Sequence, residues 1–122
     1  MTNDALIALA ERIEAAPLYD APLTRQAFDL VETHLPDLDR AMIRNGALGG
    51  VDAVLTVIDH GFPGWSVSMH GTASETHGDW TCTLRRSEVH DNDMAVGVGK
   101  GPHLPNALLG ALLKLLARTA AK

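Results

Sequence analysis

Apolar residues recur at helical spacing through the first half of the chain and at every other position through much of the second. Leu6, Leu9, Ala10 and Ile13 fall three and four apart, with Asn3 placed to cap, Asp4 in the first turn and Pro17 to stop the helix. A second helix is predicted from about Pro22, with Leu23, Ala27, Leu30 and Val31 inward, fading at Leu35-Pro36. Leu38, Ala41 and Met42 suit a shorter third helix between Asp37 and Asn45, after which Gly46, Gly49 and Gly50 break the pattern. Val51, Val54, Leu55 and Ile58 restore it for one more helix, closed by Gly61 and Pro63.

The period then changes to two. Trp65 to His70, Trp80 to Arg85 and Met94 to Gly99 each alternate a larger apolar residue with a polar or small one. Joined by polar loops over 71–79 and 86–93, they read as a three-stranded antiparallel meander, the simplest order for such short connections. This alternation puts Trp65, Val67, Met69, Trp80, Cys82, Leu84, Met94, Val96 and Val98 on one face. Trp80 is expected to be largely buried there against the closing helix. That helix begins near Pro105 and is Leu- and Ala-rich, apart from a polar stripe at Asn106, Gly110, Lys114, Arg118 and Lys122. The expected fold is therefore α+β: N-terminal helices, a three-stranded antiparallel meander and a C-terminal helix packed on the sheet, a helix–sheet–helix sandwich. Residues 1–122 form one domain, a helical N-terminal segment (1–49) followed by an α-β-β-β-α unit (50–122).

Composition narrows the function classes. At 122 residues, 46% hydrophobic and 20% charged, the chain is globular and long enough for its own core. A formal charge of −5 argues against gripping phosphate backbones, so nucleic acid is not the expected partner. Cys82 is the single cysteine, which rules out an intrachain disulfide and suits a reducing cytoplasm. Asp4 stands where a signal peptide would be basic, and the apolar run from Ala107 to Ala117, interrupted by Lys114, is short of the roughly 20 residues that span a bilayer. A cytoplasmic protein with no membrane partner is expected.

Several short motifs occur in a suggestive order. Val51-Asp52-Ala53 with Leu55-Thr56 comes first, then Trp65, then the strand from Trp80 to Leu84. Gly97 and Gly99 follow, leading to Pro105, Ala107, Ala111, Leu113 and Lys114. This order resembles the phage ABA-sandwich domain family, small prophage-associated proteins of unknown function, over about Gly50 to Leu116. The resemblance implies a helix, three strands and a helix, together with a prophage association, and it carries over no catalytic residue. Family members tend to cap these helices with Ser or Thr, where this chain has Gly50 and Leu104. The first 49 residues lie outside the resemblance.

Three kinds of chemistry can be weighed. The helix–strand–strand–strand–helix order matches the double-stranded-RNA-binding fold, and a weak nucleic-acid binder would use Arg85, Arg86 and Lys100. Yet His103, Leu104, Pro105 and Asn106 stand where that fold needs phosphate-contacting lysines. A small-anion or small-ligand site could form on Gly99, Lys100, Gly101 and His103 before the last helix, although the run lacks the Walker spacing and glycines also serve simply to end a strand. His70, His77 and Asp79 in one loop region, and His90, Asp91 and Asp93 in the other, match no established metal spacing. No metal and no cofactor are expected.

Catalysis finds little footing. Alternation separates Cys82 from His70, and Ser66, Ser68 and Thr83 lack a nucleophile elbow, so no catalytic residue is assigned and an enzyme is not expected. The second sheet face (Ser66, Ser68, His70, Thr81, Thr83, Arg85, Ala95 and Gly97) is small and polar. Cover by the N-terminal segment is expected there, from the same chain or exchanged with a second copy about hinges at Pro17–Asp20 and Gly46–Gly50. The expectation is an accessory or interaction protein with a protein partner, in the form of a homodimer.

Overall fold

A computed structural model describes residues 2–37, 50–74, 77–85 and 96–120. Helix α1 spans Thr2–Ala15, α2 Ala21–His34 and α3 Val51–Gly61. Strands β1 (Ser66–Thr72), β2 (Asp79–Arg85) and β3 (Val96–Gly101) follow, and α4 (Leu104–Ala120) closes the chain. The short helix expected between Asp37 and Asn45 falls, beyond Asp37, outside the described residues.

The helical periodicity translates directly into burial. Leu6, Leu9, Ala10 and Ile13 of α1, and Leu23, Ala27, Phe28 and Val31 of α2, are all in the core. Helix α1 begins at Thr2, one residue ahead of the expected Asn3 cap. For α2 the cap is Asp20, whose carboxylate accepts from the Leu23 amide at 3.0 Å. Gly50 precedes α3 in extended conformation and gives it no side-chain cap, so that start depends on packing of Ala53, Val54, Val57 and Ile58.

The strands form one antiparallel sheet in the order β1-β2-β3. Helix α4 is the centre of the molecule. Ala107, Leu108, Leu109, Ala111, Leu112, Leu113, Leu115 and Leu116 are at most 2% exposed. It packs on β3 and β2 to one side and chiefly on α1 to the other, with α2 and α3 completing the helical layer. This is the expected α+β architecture, with the C-terminal helix on the sheet.

Two expectations about faces change. In the observed register Leu84 pairs with Gly97, Cys82 with Gly99 and Trp80 with Gly101. Directly opposed residues of an antiparallel pair share a face, so the face toward α4 holds the β3 glycines, while Val98 lies beside Thr83 on the other and is 36% exposed. The cause is the closeness of α4. A methyl group on Gly97 would overlap the Ala111 carbonyl oxygen, and one on Gly99 would overlap that of Ala107 and lie 2.6 Å from the Ala111 amide nitrogen. Two residues of strand advance about 6.6 Å and four of helix about 6 Å, so the Gly97/Gly99 and Ala111/Ala107 pairs keep step along the seam.

The second change concerns the N-terminal helices. They stack on α4, and the second sheet face stays exposed at Ser66, Ser68, His70, Arg85, Val98 and Lys100. Among the described residues, the expected cover of that face by the N-terminal segment is not made. Physically, α4 is apolar around most of its circumference, and only a second layer on its far side keeps that surface from water. Trp80, expected to be largely buried, is half-buried, because it sits level with the first residues of α4 where the helix begins to cover the sheet.

Candidate functional site

The first three positions of the polar stripe of α4, Asn106, Gly110 and Lys114, face the end of α1. Asn106, 3% exposed, donates through Nδ2 to the carbonyls of Ala16 (3.1 Å) and Leu18 (2.9 Å) in the α1–α2 connection. One turn on, Gly110 leaves room for Glu14, since a methyl there would lie 2.5 Å from Glu14 Cγ. After one more turn, Lys114 Nζ lies 2.8 Å from Oε2 and 3.1 Å from Oε1 of that carboxylate. The Lys100 amide donates to Glu14 Oε1 at 3.2 Å from the outer edge of β3. One carboxylate thus ties α1, β3 and α4 together, and only 11% of its side chain is exposed.

This arrangement bears on the four residues considered for anion binding. Gly99 is buried under α4 and serves the helix–strand seam. The Lys100 side chain is exposed on the second sheet face, level with Thr81 and His70, while its amide already holds the Glu14 carboxylate. Gly101 lies against the Glu14 backbone, where a side chain would collide with its carbonyl. The stretch is an extended strand through Gly101, and Gly64 alone has positive φ among the described residues, so these glycines do not form a phosphate-cradling nest. The structure gives the four residues separate places.

His103 stands apart from the other three. It lines an open cleft of about 490 Å³ at the amino end of α4, with Ser74, Trp80 and Pro105 among its walls. Its Nδ1 is buried without a hydrogen-bond partner, while the residue as a whole is partly exposed. Cys82 is fully buried on the helix-facing side of the sheet, and burial first, then the charge of Glu14, pushes its thiol from 9.0 up to about 11. It is a packing residue, separated from His70 by the sheet itself.

Among the described residues no group of three or more His, Cys, Asp or Glu side chains is placed to hold a metal ion. In the loop region after β1, the His77 amide donates to Ser74 Oγ at 3.0 Å, an ordinary turn interaction. Arg86, His90, Asp91 and Asp93 lie outside the described residues, so the Arg85, Arg86 and Lys100 grouping is visible only in Arg85 and Lys100, both exposed on the second sheet face. No described helix is long and apolar enough to cross a membrane.

What sequence reading missed is the Glu14–Lys114–Lys100 junction. Its one visible signal is the coincidence of Gly110 and Lys114 on a stripe of an otherwise apolar helix, which requires a polar partner from elsewhere in the chain. Comparison with family models, with characterised proteins and with solved structures finds no match to this chain.

Proposed function

We propose that this chain is a small accessory protein that acts by binding another protein, without catalytic activity and without a cofactor, and that it is prophage-associated and cytoplasmic. The carrying observation is the uneven use of its sheet. Helix α4 covers β3 and β2 on one face and α1 meets the β3 edge at Lys100, while β1 and the second face are left to solvent with short, mostly uncharged side chains. Solvated sheet surfaces usually carry longer charged side chains, and bare edge strands are usually blunted. The prophage association draws on the resemblance over Gly50 to Leu116, and phage genes flanking this one would support it.

A panel of anions, nucleotides and divalent metals tests the reading by thermal shift. A ligand at a hundredfold excess over its dissociation constant stabilises a fold by about 2.7 kcal/mol, several degrees for a domain of this size. The interaction reading predicts a flat panel. A saturable shift would overturn it in favour of a small-ligand domain, the reading favoured by the unpartnered His103 nitrogen, and loss of that shift in His103→Ala would place the ligand in the cleft.

A further inference from the structure

The free edge of β1 has a definite hydrogen-bonding phase. The Lys100 amide points away from β2, toward Glu14, so Lys100 and Thr81 form a non-hydrogen-bonded pair. Direction alternates along each strand, so the backbone groups of Thr81 and Thr83 point toward β1 and bond to His70 and Ser68. Val67, Met69 and Gly71 therefore turn their N–H and C=O groups outward. Nothing among the described residues pairs with them, since β1 is the end strand of the sheet.

Among the described residues this edge has none of the usual protection. Ser66–Thr72 contains no proline and no Asp, Glu, Lys or Arg, and its register with β2 runs without a bulge. The opposite edge, β3, is met by α1 at Lys100, whose outward amide is held by Glu14. The apolar side chains of β1 are also incompletely covered. Val67 and Met69 share the helix-facing side with Leu84 and Cys82, but α4 lies over β3 and β2, and Met69 is 41% exposed.

We propose that β1 is an interaction edge whose occupant is β1 of a second copy of this chain, giving a continuous six-stranded antiparallel sheet. The inference rests on the protein-interaction reading and supplies its partner. Three features favour a second copy. A twofold axis through Met69, perpendicular to the sheet, sets Met69 against Met69 of the partner subunit and Val67 against the partner's Gly71, so all three outward-facing residues are used. The same axis opposes identical strands and would set any charge close to itself, and Ser66–Thr72 has no Asp, Glu, Lys or Arg to clash. It also keeps both helical layers on one side, so the exposed Met69 and half-buried Val67 of each copy meet in the valley between the two α4 helices. The N-terminal helices stay on their own α4, and no exchange of segments is needed.

Sedimentation equilibrium on the full chain, from about one to several hundred micromolar, tests this across the range where small interfaces associate. The wild type is expected to rise from the 13.0 kDa chain mass toward twice that value. Met69→Lys places two ammonium groups face to face, and Met69→Pro deletes the outward amide at the axis without removing a bond to β2. Each should weaken association by more than about tenfold while leaving the far-ultraviolet spectrum unchanged. Val98→Lys, on the other face and off this edge, should leave association as it is. A wild type monomeric at every concentration, or association unaffected by both Met69 variants, overturns self-pairing. Monomers with a flat ligand panel would remove self-pairing and leave the interaction reading standing, whereas a ligand-induced shift would remove that reading whatever the mass.

Discussion

At the β3 side of the sheet, Gly97 and Gly99 bring α4 close enough for backbone to touch backbone, Gly101 lies against α1, and the outward Lys100 amide is bonded to Glu14. At the β1 side, two strands away, the helix-facing Met69 is partly in water and the outward amides have no described partner. Both strands are short and poor in large side chains, so strand composition alone does not separate them. The difference lies in what the glycines face. On β3 they meet a helix whose own facing residues are alanines, and the two small surfaces seal together. On β1, Gly71 faces no such helix, and serines and threonines line the solvent side. Smallness seals an edge only when a complementary layer is present.

The sealed side should break first. Gly99→Ala puts a methyl into the Ala107 carbonyl and near the Ala111 amide, both backbone, so relief requires moving α4 itself. The expected cost is above about 3 kcal/mol, a large share of the stability of a domain this size, visible as a collapse of the chemical-denaturation midpoint. Ser68→Ala on the open side should change that midpoint within about 0.5 kcal/mol, and a comparable loss there would erase the contrast.

Glu14→Gln should have an intermediate effect. It removes the charge opposite Lys114 but keeps an acceptor for the Lys100 amide, and Lys114, 29% exposed, can recover part of its hydration. The expected loss is about 1–2 kcal/mol, shrinking in the Glu14→Gln/Lys114→Met double variant, where no unpaired charge remains.

A pH dependence confined to alkaline conditions, and absent near neutrality, completes the set. With its thiol raised from 9.0 to about 11 in the folded chain, Cys82 releases its proton more readily once unfolded. Its contribution is therefore fully present below pH 9 and is lost as pH rises from 9 to about 11. Cys82→Ala should flatten that alkaline decline in the melting temperature, and an identical slope in wild type and variant would contradict the burial of the thiol.

Much of the fold was legible in the chain because periodicity is a local signal. The helix faces through Leu6 and Ile13, Leu23 and Val31, and Val54 and Ile58 follow from spacing alone, as do the three strands in meander order. The β3 face was not legible for a physical reason. Hydrophobic alternation assigns Val98 inward and Gly99 outward, but the strand packs against helix backbone, and there the absence of a side chain is what counts. The Glu14 junction was hidden because Glu14, Lys100 and Lys114 are far apart in sequence and meet only after α1 has docked on α4. Gly99, Lys100, Gly101 and His103 are sequence neighbours that the strand and the helix start send to separate surroundings, so adjacency in sequence was a poor guide to a shared site.

Residue-resolved amide hydrogen exchange at two protein concentrations tests the contrast between the edges most directly. The Lys100 amide, bonded to Glu14, should be protected at both concentrations and become fast in Glu14→Ala. The Val67, Met69 and Gly71 amides should exchange rapidly in dilute solution, while those of Ser68 and His70 stay slow, and the fast set should slow as concentration rises. Rapid exchange at Lys100, or protection of Val67, Met69 and Gly71 in the dilute monomer, would contradict a β3 edge held at Lys100 and an open β1 edge.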